Sequence, residues 1–229
     1  HRFPLMRPLG PLGSYTIKGM LGLLCSKTIA PKSPDDSGDS TFFSTAFAGQ
    51  GVDDSLLVPW EARAVEIGAK RLPTSRGGQL LQALWAKDKY MALLSHNAVE
   101  RMERFFEFAA VPAGRDVIRQ DEYGNFMVVL LTGTIAVDRI QPWGEQLRLA
   151  ETRPGDILGE MSLLDSGIRF SACTTLTDCE VAVLNAEGMD EMMDKDPQLA
   201  ASLIALLARK LSLRLRAVSA RLSENQGNR

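Results

Sequence analysis

Gly155-Asp156-Ile157-Leu158-Gly159-Glu160-Met161-Ser162-Leu163-Leu164, followed after a short gap by Ile168-Arg169-Phe170-Ser171-Ala172, is the stretch on which the reading of this chain turns. Gly159 has no Cβ, takes φ > 0 without strain and lets a ligand approach the backbone closely. Glu160 offers a carboxylate that accepts hydrogen bonds from a hydroxyl. A short helix beginning near Met161 points free backbone N–H groups at an anion, and Arg169 adds a permanently charged fork for the same anion. A buried phosphodiester needs several donors, preferably with one paired cation, or its desolvation is prohibitive. Two plainer readings stay open beside this one: Glu160 as a cap of the short helix, and Arg169 as a surface partner of Asp165.

This ordered set resembles the phosphate-binding cassette of cyclic-nucleotide-binding domains, the family of the catabolite activator proteins and of the regulatory subunits of cyclic-AMP-dependent protein kinase. The family pattern is Gly-Glu-x-(Ala/Gly/Ser)-Leu and, some residues on, Arg-(Ser/Thr/Ala)-Ala. Val111-Pro112-Ala113-Gly114 is similar to the family's turn into the barrel, and Gln120, Gly124, Phe126 and Gly133 fall at its framework spacing. The resemblance covers residues 94–224. It implies an α+β fold: an antiparallel, jelly-roll-like β-roll flanked by N-terminal helices and a long C-terminal helix.

For the site, the resemblance implies Glu160 on the ribose 2′-hydroxyl and Arg169 on the cyclic phosphate. Gly159 allows the close approach, Met161 and Ser162 give backbone amides, and Ser171, beside Ala172, is a further donor. The chain departs from the pattern at Phe170. Counting forward from Gly159, Arg169 is the phosphate ligand; counting back from Ser171-Ala172, the arginine slot holds Phe170, which would put an apolar wall there. Ile168 stands where many relatives have Pro, Asp121 where Gly is common, and Asn125 where Asp is common. Arg214 falls near the place where activator-type relatives close over the base, and an arginine there can stack on or bond a purine, guanine O6/N7 in particular. The implied ligand is cyclic AMP. Cyclic di-GMP, which would use the extra arginines, and cyclic GMP are alternatives, as is an empty or protein-filled pocket.

The 229 residues suffice for one sizeable domain plus an extension. A 45% hydrophobic and 24% charged composition is ordinary for a globular chain, and a net charge of −2 gives no electrostatic case for a dedicated nucleic-acid binder. Cys25, Cys173 and Cys179 make no metal-ligand cluster; the last two lie in strand-like runs and read as small buried residues. A reducing, cytoplasmic setting fits, and no apolar run reaches the ~18 residues of a membrane helix. The only histidines are His1 and His96, and no Ser/Cys–His pairing, metal spacing or phosphate loop is evident, so no enzyme is expected.

Along the chain, Gly10-Pro11-Leu12-Gly13-Ser14 looks like a protease-cleavage scar and is set aside. Residues 1–59 read as a flexible segment, with 31–55 mobile and Phe42, Phe43 and Phe47 on a loosely packed arm. Residues 60–110 read as a helical extension. Trp60, Ala64 and Ile67 share one face, Ala62, Val65 and Ala69 another; Leu80, Leu81, Leu84 and Trp85 follow a break at residues 72–78. A capping box at Asn97–Glu100 opens a helix ending near Phe108. Residues 111–190 form the β-roll, built from short strands such as 128–131, 135–137 and 180–184.

Residues 191–229 hold the long helix, with Asp196 as cap and Pro197 at its first position. It runs to Ser223, about 40 Å at ~1.5 Å per residue. Ile204, Ala208, Leu211, Leu215, Val218 and Leu222 form a heptad seam that implies a homodimer. Leu199, Leu203, Leu206 and Leu213 face the barrel, while Arg209, Lys210, Arg214, Arg216 and Arg221 form a solvated face. Activator-type relatives carry a helix-turn-helix after this helix; the few residues left to Arg229 cannot form one, so no direct DNA binding is expected. The expected protein is a stand-alone, bacterial-type second-messenger sensor. It binds a cyclic nucleotide, signals by helix repositioning, and has a downstream protein partner that the sequence does not specify. A cyclic di-GMP receptor and a ligand-free assembly adaptor are the alternatives.

Overall fold

The computed structural model describes residues 41–227. The expectations placed on residues 1–40, Cys25 included, and on the side chain of Leu222 lie outside the described residues and side chains.

Nine strands run through this region: β1 Lys70–Arg71, β2 Glu107–Val111, β3 Asp116–Ile118, β4 Phe126–Thr132, β5 Ile135–Ile140, β6 Gln146–Glu151, β7 Ile157–Leu158, β8 Ala172–Thr175 and β9 Cys179–Asn185. They pair antiparallel in two sheets, ordered β1-β2-β9-β4-β7 and β3-β8-β5-β6. The apolar run Phe126–Thr132 explains the arrangement, because alternate side chains of a strand serve opposite faces. Phe126, Val128 and Leu130 enter the cluster between the sheets with Ile135, Cys173, Val181 and Val183. Met127, Val129 and Leu131 enter a second cluster with the helices, among Trp85, Phe108 and Leu184. A strand covered on both faces needs no polar alternation, and β4 has none.

The helices are α1 Ala46–Gly49, α2 Trp60–Ile67, α3 Thr74–Trp85, α4 His96–Met102, α5 Glu160–Asp165, α6 Ala186–Lys195 and α7 Pro197–Gly227. The fold is therefore α+β, a β-roll flanked by N-terminal helices and a long C-terminal helix. The domain limit expected at 111 falls inside β2, and the one at 191 falls inside α6. Cys173 and Cys179 are buried free thiols, and burial pushes the Cys173 thiol up to about 12.

Several expectations need correction. The arm around Phe43 and Phe47 is packed, not loose: both rings are buried, and only Phe42 is exposed. The buried Asp190 carboxylate on α6 fixes it by accepting the Phe43 and Ser44 backbone N–H groups, each at 2.8 Å. The break at 72–78 is not one, since α3 starts at Thr74 and contains Gly77 and Gly78. A Cβ on Gly77 would lie 2.2 Å from the Phe108 ring, so this glycine serves close helix–strand packing. The cap of α4 is Ser95, whose Oγ accepts from Ala98 N at 3.1 Å, not a box beginning at Asn97.

On α7 the core face is Leu199, Ala200, Leu203, Leu206 and Leu207, and Leu213 is 41% exposed. Beyond Leu207 the body offers α7 carboxylates instead of apolar surface. Lys210 Nζ meets Asp88 Oδ2 at 2.7 Å and Arg214 Nη1 meets Glu160 Oε1 at 2.6 Å, so two members of the expected solvated basic face are paired.

Truncating Asp190 leaves two backbone donors unpaired at a buried position, which costs about 2–3 kcal/mol. Asp190→Ala is therefore expected to lower the urea-unfolding free energy by that amount, and a loss below ~0.5 kcal/mol would mean that the arm contributes no cooperative stability.

Candidate functional site

The site lies where β7 passes into α5 and returns through residues 166–171 to β8. Gly159 ends the strand at φ +73°. A Cβ there would sit 2.6 Å from Arg169 Nη1 and 2.7 Å from Ile118 Cδ1, so both backbone conformation and space demand glycine. α5 closes with Ser166 at φ +56°, its N–H donating to Ser162 O at 3.0 Å, and Gly167 N donates to Asp165 Oδ1 at 2.9 Å. The return segment is then zipped to the 120–124 turn: Arg169 N donates to Glu122 O at 2.8 Å and Asp121 N to Arg169 O at 2.9 Å. Asp121, in the place where glycine is common, holds φ +65°.

This pairing fixes which side chain points inward. Ile168 is 49% exposed, Arg169 3% and Phe170 53%, the alternation of an extended strand. Arg169 is the inward residue, and Phe170 lies outside under the Arg139 guanidinium, whose carbon is 4.0 Å from the ring centre. Arg139 also donates to Phe170 O.

Arg169 donates from Nη1 to Gly159 O at 2.8 Å and from Nη2 to Phe126 O at 2.7 Å, with its guanidinium 4.6 Å from the Phe126 ring centre. It forms no ion pair among the described residues. Burial pulls its pKa down to about 10, although Cys173, Glu122 and Glu160 oppose the shift. The surface pairing with Asp165 does not occur. Glu160 makes no helix-cap bond; it is buried, and its carboxylate is held by the half-exposed Arg214.

Gly159, Glu160, Arg169 and Arg214 are thus brought together by direct contact. Ser162 is buried within α5, Met161 is 45% exposed, and Ser171 and Ala172 are half-buried at the start of β8. Phe170 is the predicted site residue that turns away. Three residues were not among the expected site residues: Arg139 over Phe170, Arg63 of α2 beside Arg169, and Trp60 of α2, which reaches Arg169 through the Phe126 ring. Arg63 had a signal, since it occupies the same helical face as Trp60, Ala64 and Ile67. A narrow space lined by Arg63, Arg169, Phe126 and Glu122 separates these side chains, with no room for a water molecule. Among the described residues no His/Cys/Asp/Glu group could hold a metal ion, and no helix is long and apolar enough to cross a membrane.

A β-roll, a Gly-Glu turn before a short helix and an inward arginine are the features against which known proteins compare. Residues 109–196 match the family model of the cyclic nucleotide-binding domain. The chain is 30% identical over 118 residues to the cyclic AMP receptor protein of Thermus thermophilus, covering 52% of this chain and 55% of the relative. It is 25% identical over 115 residues to a CRP-like cAMP-activated global transcriptional regulator of Mycobacterium tuberculosis, covering 50% and 51%. The solved cyclic nucleotide-binding domain from Methylobacillus flagellatus superposes with a TM-score of 0.61 at 21% identity, over 67% of this chain and 86% of that one. The chain spans about half the length of the curated relatives it matches.

Placing a Cβ on Gly159 combines a left-handed backbone cost of ~1–2 kcal/mol with overlap against Arg169 and Ile118 worth ~1–3 kcal/mol. Gly159→Ala is expected to lose at least about 2 kcal/mol in thermal or urea unfolding. An unchanged midpoint would show that the turn relaxes freely.

Proposed function

We propose that this chain is a second-messenger sensor in which Arg169 receives the phosphate of a cyclic nucleotide and Glu160 its ribose hydroxyl. The observation that carries this reading is the charge state of the cassette. A buried guanidinium is satisfied only by two carbonyl oxygens, and it lies beside a buried carboxylate whose only ion-pair partner among the described residues is the half-exposed Arg214. A fully buried cation without a counter-ion is an unfavourable arrangement that an anion improves. Glu160 then accepts from a neutral hydroxyl once Arg214 lets go. Because Arg214 is 57% exposed, that ion pair is worth no more than ~1 kcal/mol, which a nucleotide can displace. Cyclic AMP is the first candidate, supported by the names of the Thermus and Mycobacterium relatives, with cyclic GMP and cyclic di-GMP behind it. The site residues are Gly159, Glu160, Met161, Ser162, Arg169, Ser171, Ala172 and Arg214. Their role is binding, with no catalytic step, and the sensor works in the cytoplasm.

A specific observation favours a second reading. The space beside Arg169 has no room for a water molecule, and its guanidinium already has carbonyl partners. In that case the roll is a ligand-free assembly module.

Isothermal titration of the chain with cyclic AMP, cyclic GMP and cyclic di-GMP separates the two. The sensor reading expects saturable micromolar binding of one nucleotide, weakened at least ~100-fold in Arg169→Ala, as for loss of a charge-assisted pair. It also expects a change of no more than about 5-fold in Arg214→Ala, which removes both the competitor for Glu160 and a contact to the base. Silence with all three, on a chain whose circular dichroism melt is cooperative and which carries no co-purified nucleotide, selects the assembly module.

The signal leaves through helix movement, and the chain works as a homodimer joined along α7. Leu215 and Val218 of the heptad seam are exposed at 66% and 48%, an unpartnered apolar edge that a second copy covers. Light scattering is expected to give twice the chain mass, falling to one chain in Leu211→Lys; an unchanged mass in that variant would sink the seam.

A further inference from the structure

α2 lies outside the matched residues 109–196, yet it reaches into the roll beside Arg169. Trp60 is 2% exposed and belongs to the apolar cluster between the two sheets. Its ring meets that of Phe126 at 5.6 Å and 64°. Phe126 also carries the Arg169 guanidinium on its ring and accepts its Nη2 hydrogen bond at the backbone. Trp60, Phe126 and Arg169 are therefore one continuous set of contacts, from the N-terminal helix to the cassette.

One turn on, Arg63 is 1% exposed and paired with Glu66 at 2.5 Å and with Glu122. Its Nε is buried with no partner. The same Glu122 holds the Arg169 backbone through its carbonyl. Two buried guanidinia thus line one narrow space, and the Arg63 charge disfavours that of Arg169. A buried ion pair recovers little net stability from its geometry, so Arg63 is held in place at a cost that vanishes when α2 leaves. The segment before α2 is docked on the same turn: Val58 N donates to Tyr123 O at 2.9 Å, and Leu57 bridges Tyr123.

We propose that α2 is an intramolecular antagonist of anion binding at Arg169. Docked Trp60 and Arg63 hold the guanidinium against Phe126 O and Gly159 O, and a cyclic nucleotide that draws Arg169 toward its phosphate loosens α2 in return. Binding linkage makes the antagonism reciprocal. The arm preceding α2 is then the element whose release carries the signal. The inference rests on the reading of the cassette as a nucleotide site, and its test keeps the two apart.

Glu122→Gln removes the carboxylate that pairs with Arg63 but keeps the carbonyl that accepts from Arg169. In the full chain and this variant, hydrogen exchange of the α2 amides is followed alongside titration with cyclic AMP, cyclic GMP and cyclic di-GMP. The expected result is faster exchange in α2 with β4 and β9 unchanged, tighter binding of one nucleotide by about 5-fold or more, and faster α2 exchange in the parent chain at saturating nucleotide. Equal affinity in both chains, with α2 loosened in the variant, overturns the antagonism and leaves the nucleotide site standing. Silence of both chains toward every nucleotide overturns the nucleotide site and the antagonism with it. If Glu122→Gln fails to fold, Trp60→Phe, which weakens the contact with Phe126 without touching charge, is read by the same outcomes.

Discussion

The guanidinium of Arg169 is the constraint around which the rest of the domain is arranged. It is buried without a counter-ion among the described residues, and the two acceptors it finds in the protein are backbone carbonyls of two different strand ends. Phe126 O belongs to β4 and Gly159 O to the turn after β7, so one side chain joins the central strand to the cassette. The demand propagates outward. Gly159 and Gly124 must lack side chains, because a Cβ at either would come within 2.6–2.8 Å of the Arg169 head group. The 120–124 turn must present its carbonyl and amide to the return segment. Asp121 accordingly accepts a left-handed conformation that few residues other than glycine, asparagine and aspartate tolerate.

The helices are tied to the roll and to one another by buried and half-buried carboxylates. Asp190 gathers the first turn of the arm, Glu160 meets Arg214, and Asp88 meets Lys210 while also accepting from Tyr90 and Met91 amides at 2.8 and 2.9 Å. Burial alone would raise the Asp88 pKa; the bond to Lys210 and the two amides outweigh it and hold the carboxyl below its ordinary value. Apolar packing sets which faces meet, and these few polar contacts set the register in which they meet.

The fold was legible because its signals are local and ordered: a Gly-Glu turn, a strand that is apolar throughout, and a Pro-capped long helix each announce themselves in a few residues. The inward arginine was half legible. Counting from Gly159 and counting from Ser171 give opposite answers, and only the pairing of Arg169 with Glu122 and Asp121, some 50 residues away in sequence, decides between them. Phe43, Phe47 and Asp190 were illegible for the same reason, since a polar, glycine-rich stretch with three aromatics gives no hint of a buried carboxylate 147 residues later. Gly77 misled in a different way. It reads as a breaker by propensity, and in the helix it is a contact surface for Phe108.

α7 begins at a clamp. Asp196 accepts from Leu199 N at 3.3 Å, capping the helix, and its other oxygen is held by Arg101 of α4 at 2.8 Å. The last described contact of α7 with the body is at Arg214, and the helix continues to Gly227. That overhang is about 20 Å at ~1.5 Å per residue. A rod fixed at its base and held to its own roll by one last strut behaves as a pointer that carries its seam partner with it: tilting it by about ten degrees at the strut sweeps its far end through roughly 3.5 Å, over half of the ~5.4 Å helix pitch. A displacement that would pass unnoticed inside the roll is thereby enlarged to the scale of a helix turn at the tip.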